Sequence, residues 1–157
     1  MLIRPCTARD ADAAARLFHD AVHESCAGDY TPAQLDVWAP AERDLDAWSA
    51  QLAASHALAA ECGDALAGFA TRRPADVLDL LYVSPRFQRR GVATALCNRI
   101  EAACAADGFR TMTVHASRTA RPFFEQRGYR VLAEQQVERR GVTLTNFRME
   151  KTLDQVR

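Results

Sequence analysis

Residues 77 to 106 constrain this chain more than any other stretch. Val77 to Val83 reads VLDLLYV, a short run rich in β-formers that Ser84 and Pro85 close. Gln88, Arg89, Arg90, Gly91, Val92 and Ala93 follow. Val92, Leu96, Ile100, Ala103 and Cys104 then recur at helical spacing through a segment that ends near Asp107 and Gly108. The pattern predicts a strand, a glycine-containing turn and an amphipathic helix from about Arg90. A helix start leaves its first N–H groups without intrahelical partners, and the macrodipole adds partial positive charge there. An anion such as a phosphate is stabilised at that point. Gly91 lets backbone approach a bulky ligand, Ala93 keeps the next contact small, and Arg86, Arg89 and Arg90 add fixed positive charge.

The rest of the chain supplies alternating elements. Leu2 to Pro5 reads as a first strand. Thr7 or Asp10 is placed to cap a helix running to about Ser25, with Ala14, Leu17, Phe18 and Ala21 on its buried side. Breaks at Gly28, Pro32 and Pro40 interrupt the next segment, and helical periodicity returns from Asp44 to Ser55 through Leu45, Trp48 and Leu52. His56 to Glu61 and Ala65 to Arg72 form a predicted hairpin around Cys62, Gly63 and Asp64. Thr111 to Ser117 is a strand that returns parallel to Val77–Val83 after the helical crossover. A short helix from Thr119 to Gln126 ends at Gly128, and Arg130 to Glu138 pairs with Val142 to Lys151 around Arg140 and Gly141.

Composition narrows the function classes. With 157 residues, 48% of them hydrophobic, the chain suits one well-buried domain, taken as residues 1–153. Twenty basic and twenty acidic side chains cancel, so no overall field draws the protein to nucleic acid or to an anionic membrane. Five cysteines, Cys6, Cys26, Cys62, Cys97 and Cys104, form no C-x-x-C pair, which argues against a disulfide framework and against a zinc site. Cys97 and Cys104 are expected to pack as small apolar groups. Reduced thiols, the lack of an apolar leader and the lack of a membrane-spanning run point to a cytoplasmic protein. A nucleotide P-loop is excluded, since no G-x-x-x-x-G-K-S/T occurs and the sole lysine is Lys151; the Rossmann G-x-G-x-x-G is missing too.

A strand, then QRRGVA, then a helix resembles the pyrophosphate signature Q/R-x-x-G-x-G/A of the GNAT superfamily of acetyl-CoA-dependent N-acetyltransferases. A second segment, ARPFFEQRGY from Ala120 to Tyr129, resembles the same family and follows TMTVHAS at the usual distance. The resemblance implies an α/β (α+β) GNAT fold: a central mixed, mostly antiparallel sheet with a splayed parallel strand pair, flanked by helices. It also implies an acyltransferase with acetyl-CoA as co-substrate. Main chain at Leu81, Tyr82 and Val83 would face the pantetheine and the acetyl carbonyl, with the Val83 N–H polarising that carbonyl. Gln88, Arg89, Arg90, Gly91, Val92, Ala93 and Thr94 would hold the pyrophosphate, and Phe123 or Phe124 would lie near the pantetheine. Dimerisation through the last strands is common in the family, which makes a homodimer through Val142–Lys151 an expectation to test.

Acetyl transfer needs a neutral amine, a proton acceptor and stabilisation of the departing thiolate. Asp79 is the favoured base. Strand alternation would place it with Val77, Leu81 and Val83, and a carboxylate on a half-buried strand calls for a reason. A structural role, accepting from a nearby N–H or arginine, is the equal alternative. His115 is the rival base, with an ordinary pKa suited to neutral pH. Many family members carry a tyrosine at the position of Phe124, assigned as the general acid. Phenylalanine donates no proton, so Tyr129, Tyr82, Ser117 or Tyr30 would substitute, or the thiolate would leave unprotonated. Of these, Tyr129 also fits a packing role.

For the acceptor pocket, His19 and His23 share a helix face, and His23, Tyr30 and Trp38 offer polar and aromatic surface for a small amine. Two histidines without a third ligand make no metal site. The segment VHESCAGDYTPAQLDVWAP resembles a subgroup of small bacterial acetyltransferases. The leading expectation is an N-acetyltransferase acting on a primary amine of a small molecule by direct attack in a ternary complex. Its alternatives are a non-catalytic acyl-CoA sensor and a protein or peptide N-acetyltransferase.

Overall fold

The computed structural model describes residues 1–73 and 75–154. Seven strands form one sheet: β1 (Leu2–Pro5), β2 (His56–Cys62), β3 (Ala65–Arg73), β4 (Val77–Val83), β5 (Thr111–Ser117), β6 (Arg130–Arg139) and β7 (Val142–Thr152). Their order is β1-β2-β3-β4-β5-β7-β6, and every neighbouring pair is antiparallel except β4 and β5. This is the mixed, mostly antiparallel sheet that the resemblance implies.

Helices cover both faces because the strands alternate. Leu58 and Ala60 on β2 pack with α4 (Val92–Ala106), while Ala57 and Ala59 pack with α1 (Ala11–Asp20) and α3 (Leu45–Ala54). Helix α4 seats Val92, Leu96, Ile100 and Cys104 essentially free of solvent, and each fully buried aliphatic side chain contributes about 1.5–3 kcal/mol. Glu101 and Ala105 join that stripe, whereas Ala103 is only half-buried. Cys97 packs in the same core, where burial pushes its thiol up to about 12.

Two local expectations change. Pro32 does not break the chain but opens α2 (Pro32–Trp38), since proline suits the first position of a helix. Thr31 and Gln34 cap it reciprocally: the Gln34 N–H donates to Thr31 Oγ1 at 3.2 Å and the Thr31 N–H to Gln34 Oε1 at 2.8 Å. The first helix reaches Ser25 as expected, but its last turn, Ala21–Ser25, widens into a π-turn. At its head Asp10 takes the Thr7 N–H at 2.8 Å and both Arg4 amino groups.

Beyond the sheet's middle, a buried ion cluster ties α4 to β7 and to α5 (Arg121–Gln126). Glu101 receives Arg127 Nε at 2.6 Å, Lys151 Nζ at 2.7 Å and the Tyr129 hydroxyl at 3.0 Å. Burial pulls the Glu101 carboxyl up, yet Arg127 and Lys151 more than offset it and hold the group below the usual carboxylate range. The cluster fixes α5, and with it Phe123 and Phe124, against the sheet.

Candidate active site

β4 and β5 touch only at Val77↔Thr113 and Leu78↔Val114; from Asp79 onward β4 has no partner on that side. A bulge starts the separation. On the β3 side Leu78 faces Arg72 and Leu80 faces Thr71, which leaves Asp79 as the extra residue. The bulge corrects the expected alternation. Leu78, Leu81 and Val83 join the α4 core, whereas Leu80 and Tyr82 join the α1 and α3 core, and Asp79 turns with them toward α3.

The wedge so opened holds a cavity of about 260 Å³ between β4 and β5, bordered by Leu81, Val83, Gln88, Ala93, Phe123 and Phe124. Its mouth lies at the start of α4. Gly91 caps that helix in the left-handed conformation (φ 79°) with no side-chain cap, and Ala95 N–H makes the first intrahelical bond back to Gly91 O. The N–H groups of Val92, Ala93 and Thr94 are therefore open to an anion. A Cβ built on Gly91 would meet nothing within 4 Å, so the space before the helix is vacant of protein. Gln88 Nε2 donates to Val83 O at 3.1 Å and pins the loop to the end of β4. Arg89 adopts φ 60°, a left-handed conformation that the pinned loop imposes. Arg86 and Arg90 lie over the Phe87 ring at 5.8 and 5.4 Å.

A second, larger cavity of about 750 Å³ opens on the opposite face, between α1–α3 and the β6–β7 hairpin. Trp38, Asp79, Tyr82, His115 and Ser117 border both cavities. Both sequence-proposed bases thus stand at the junction. Asp79 Oδ2 receives Gln51 Nε2 at 3.0 Å, and Oδ1 lies 3.4 Å from Arg73 Nε. His115 Nδ1 lies 2.9 Å from Gln135 Oε1, which leaves Nε2 free to work. Burial pushes the Tyr82 hydroxyl up, so it stays protonated near neutral pH.

Other expected site residues fall elsewhere. Tyr129 borders neither cavity; its hydroxyl donates to Glu101 and its ring packs 5.1 Å from Phe124. Tyr30 lends its ring to the larger cavity, but its hydroxyl donates to Thr145 O at 2.7 Å and accepts the Arg118 N–H at 2.9 Å. It is a strut between distant segments. His23 borders neither cavity: Nε2 bonds Ala39 O at 2.8 Å and the ring stacks on His19 at 4.2 Å. No group of three metal-ligating residues occurs among the described residues, and none of the described helices is long and apolar enough to cross a membrane.

Sequence reasoning passed over Gln51, Arg73 and Gln135, which hold Asp79 and His115, and also Gly68. A Cβ on Gly68 would stand 2.8 Å from Val92 Cγ1 and 3.0 Å from Tyr82 O, so this glycine lets the start of α4 sit on β3. A lone glycine inside a strand was the available signal. The polar residues carried none.

A splayed parallel pair beside an uncapped helix start defines an acyl-CoA-dependent transferase architecture, and comparison with known proteins agrees. The family model for the acetyltransferase (GNAT) domain matches residues 26–151. A protein of Escherichia coli (strain K12), described as "Uncharacterized N-acetyltransferase YafP", is 36% identical over 133 residues, 85% of this chain and 83% of the relative. A crystal structure of a GCN5-related N-acetyltransferase from Rhodopseudomonas palustris superposes with a TM-score of 0.93 at 34% identity, covering 97% of this chain and 95% of the other. The PaiA N-acetyltransferase from Thermoplasma acidophilum, solved with coenzyme A, shares the fold with a TM-score of 0.78 at 17% identity, covering 96% and 98%. The chain belongs to the GNAT acetyltransferase family, and acetyl-CoA is its co-substrate.

Proposed function

We propose that this enzyme acetylates a primary amine of a small molecule by direct attack within a ternary complex. One observation carries the proposal: the cleft between β4 and β5 and the larger cavity meet at Asp79 and His115. The acyl donor and the amine can then enter from opposite faces and be present together. Acetyl-CoA supplies the acetyl group as a thioester.

The chain's own groups divide the remaining work. The open N–H groups of Val92, Ala93 and Thr94, with Gln88 to Gly91, hold the pyrophosphate. Main chain from Leu81 to Val83 is unpaired toward β5, and the Val83 N–H is assigned to polarise the carbonyl. Phe124 closes the cleft as an apolar wall. Asp79 takes a proton from the amine as the C–N bond forms and the C–S bond breaks, with Gln51 and Arg73 orienting its carboxylate. His115 is the second base. For the departing thiolate the hydroxyl-bearing residues that border the cleft are Tyr82 and Ser117, each still able to donate its proton, whereas the Tyr129 hydroxyl donates to Glu101 and the Tyr30 hydroxyl to Thr145 O.

Asp79 at the junction favours catalysis over passive acyl-CoA sensing. Steady-state transfer across an amine panel tests this. Asp79→Asn should lower kcat by about 10²–10³ while leaving CoA affinity intact; CoA binding with no transfer to any amine would favour the sensor. For self-association, Val142–Lys151 offers no free strand edge, because β7 is paired with β5 on one side and β6 on the other; the open edge of β6, where Val131 and Leu132 are exposed, is the surface assigned instead. Sedimentation at two concentrations reads it.

A further inference from the structure

The larger cavity carries one buried side-chain acceptor that the protein leaves unsatisfied and one exposed cation without a protein partner among the described residues. Asn146 on β7 is in register with Ser117 on β5 and Gln135 on β6, so three polar side chains cross the cavity floor in a row. Asn146 Oδ1 is buried without a hydrogen-bond partner. Its neighbours have other commitments: Gln135 Oε1 bonds His115, and Ser117 Oγ accepts the Ala120 N–H at 3.0 Å. A buried acceptor without a donor is costly, and a ligand that brings an N–H relieves it.

Arg139 is the second. Apart from His115, the charged residues bordering the cavity are Asp44, Arg73, Asp79 and Arg139. Arg73 pairs with Asp79, and Asp44 accepts the Ala47 N–H at the head of α3. The Arg139 side chain, exposed at the end of β6, has neither ion pair nor hydrogen bond among the described residues, although its backbone pairs with Val142.

We propose that the acceptor is an amine with a carboxylate several bonds away, as in an ω-amino acid. Asn146 takes one N–H of its nitrogen, and Arg139 holds the carboxylate. The proposal rests on the acyl-transfer reading of this cavity. A neutral amine offers two N–H groups; with one on Asn146 and one on Asp79, its lone pair is left for the acyl carbon. Register sets the spacing. Gln135, level with Asn146, and Arg139 are four residues apart on β6, about 13 Å along the strand. The arginine side chain closes part of that distance, and a chain of several methylenes between amine and carboxylate spans the rest with a hydrogen bond at each end. Phe18, Trp48 and Tyr82 provide an apolar wall for the methylenes between the two ends.

Calorimetric titration of the CoA-saturated protein with ε-aminohexanoate, hexylamine and alanine reads acceptor binding without turnover. ε-Aminohexanoate should bind about tenfold tighter than either of the others. Arg139→Gln should bring it down to the level of hexylamine, and Asn146→Leu should weaken both long amines by about tenfold while CoA still binds. Equal binding of ε-aminohexanoate and hexylamine, or a preference that survives Arg139→Gln, overturns the proposal. Acetyl transfer to the same amines is followed in parallel. A binding preference without transfer sinks the acyl-transfer reading, and with it the acceptor role, and leaves Asn146 and Arg139 only as a binding site for ω-amino acids; transfer without a preference overturns the assignment of Asn146 and Arg139 and leaves the acyl-transfer reading.

Discussion

The two cavities meet at one junction but are built by opposite means. The cleft assigned to the acyl donor is lined by two chain segments, Leu78 to Ala93 and Val114 to Phe124, with a few residues from the first helices, and it offers an unpaired strand edge and an uncapped helix start. The cavity assigned to the acceptor is assembled from α1, α2, α3, the ends of β4 and β5 and the β6–β7 hairpin, and it presents side chains: Asp79, His115, Gln51, Gln135 and Asn146. Backbone donors suit a diphosphate shared by every reaction of the class. Dispersed side chains let the acceptor change by substitution while the cleft stays as it is.

The sharpest way to break this contrast is Gly91→Glu. Bulk and negative charge would fill the space before α4, and CoA affinity should fall by at least about a hundredfold in calorimetry. Retained affinity would remove the loop from the cleft.

Next in size is Glu101→Gln, which tests whether the cleft depends on the ion cluster behind it. Removing one member of a buried set strands Arg127 and Lys151, and thermal or urea unfolding should show a loss of about 3 kcal/mol. The pH dependence has a definite sign. Because the folded-state carboxyl is held below its ordinary value, its stabilisation is in place above the usual carboxylate range and is lost as pH falls through the depressed value. The variant should therefore lose less stability than the wild type on acidification.

Gly68→Ala is expected to be milder. Its Cβ would press on Val92 and the Tyr82 carbonyl, costing about 1–3 kcal/mol and weakening CoA binding by shifting the start of α4. A stable variant with unchanged CoA affinity would mean that the loop does not need this close approach. Smallest is Tyr129→Phe, which removes one hydrogen bond to Glu101 for about 1 kcal/mol and should leave kcat unaltered. A drop of about tenfold or more in kcat would give Tyr129 the proton-transfer role that its position argues against.

Legibility in the sequence follows the same division. Val77–Val83 and Thr111–Ser117 are strands with the expected bounds, and α4 begins within two residues of the expected start. Apolar periodicity and glycine punctuation are local signals, and the cleft consists of local elements. The Asp79 bulge was not legible, because the sequence shows only the alternation that the bulge interrupts. Nor was Pro32 as a helix start: its role depends on the Thr31–Gln34 cap and on Gln34 Nε2 reaching Thr143 O at 2.9 Å. Tyr30 and Trp38 were picked as acceptor surface, and both border the larger cavity. His23, picked on the same grounds, turns to Ala39.

By itself, then, the sequence determined the order of the strands and of the helices other than α2, the anion-favouring helix start and the family to which they belong. These rest on hydrogen bonds and packing periodicities that close within a few residues. Only the tertiary structure decided which carboxylate and which histidine share a junction, that Gln51 and Arg73 hold Asp79, and that the unpartnered Asn146 Oδ1 and the exposed Arg139 border one cavity. Each of those depends on side chains far apart in the chain, brought together by a bulged strand and by a sheet whose order differs from the order of the chain.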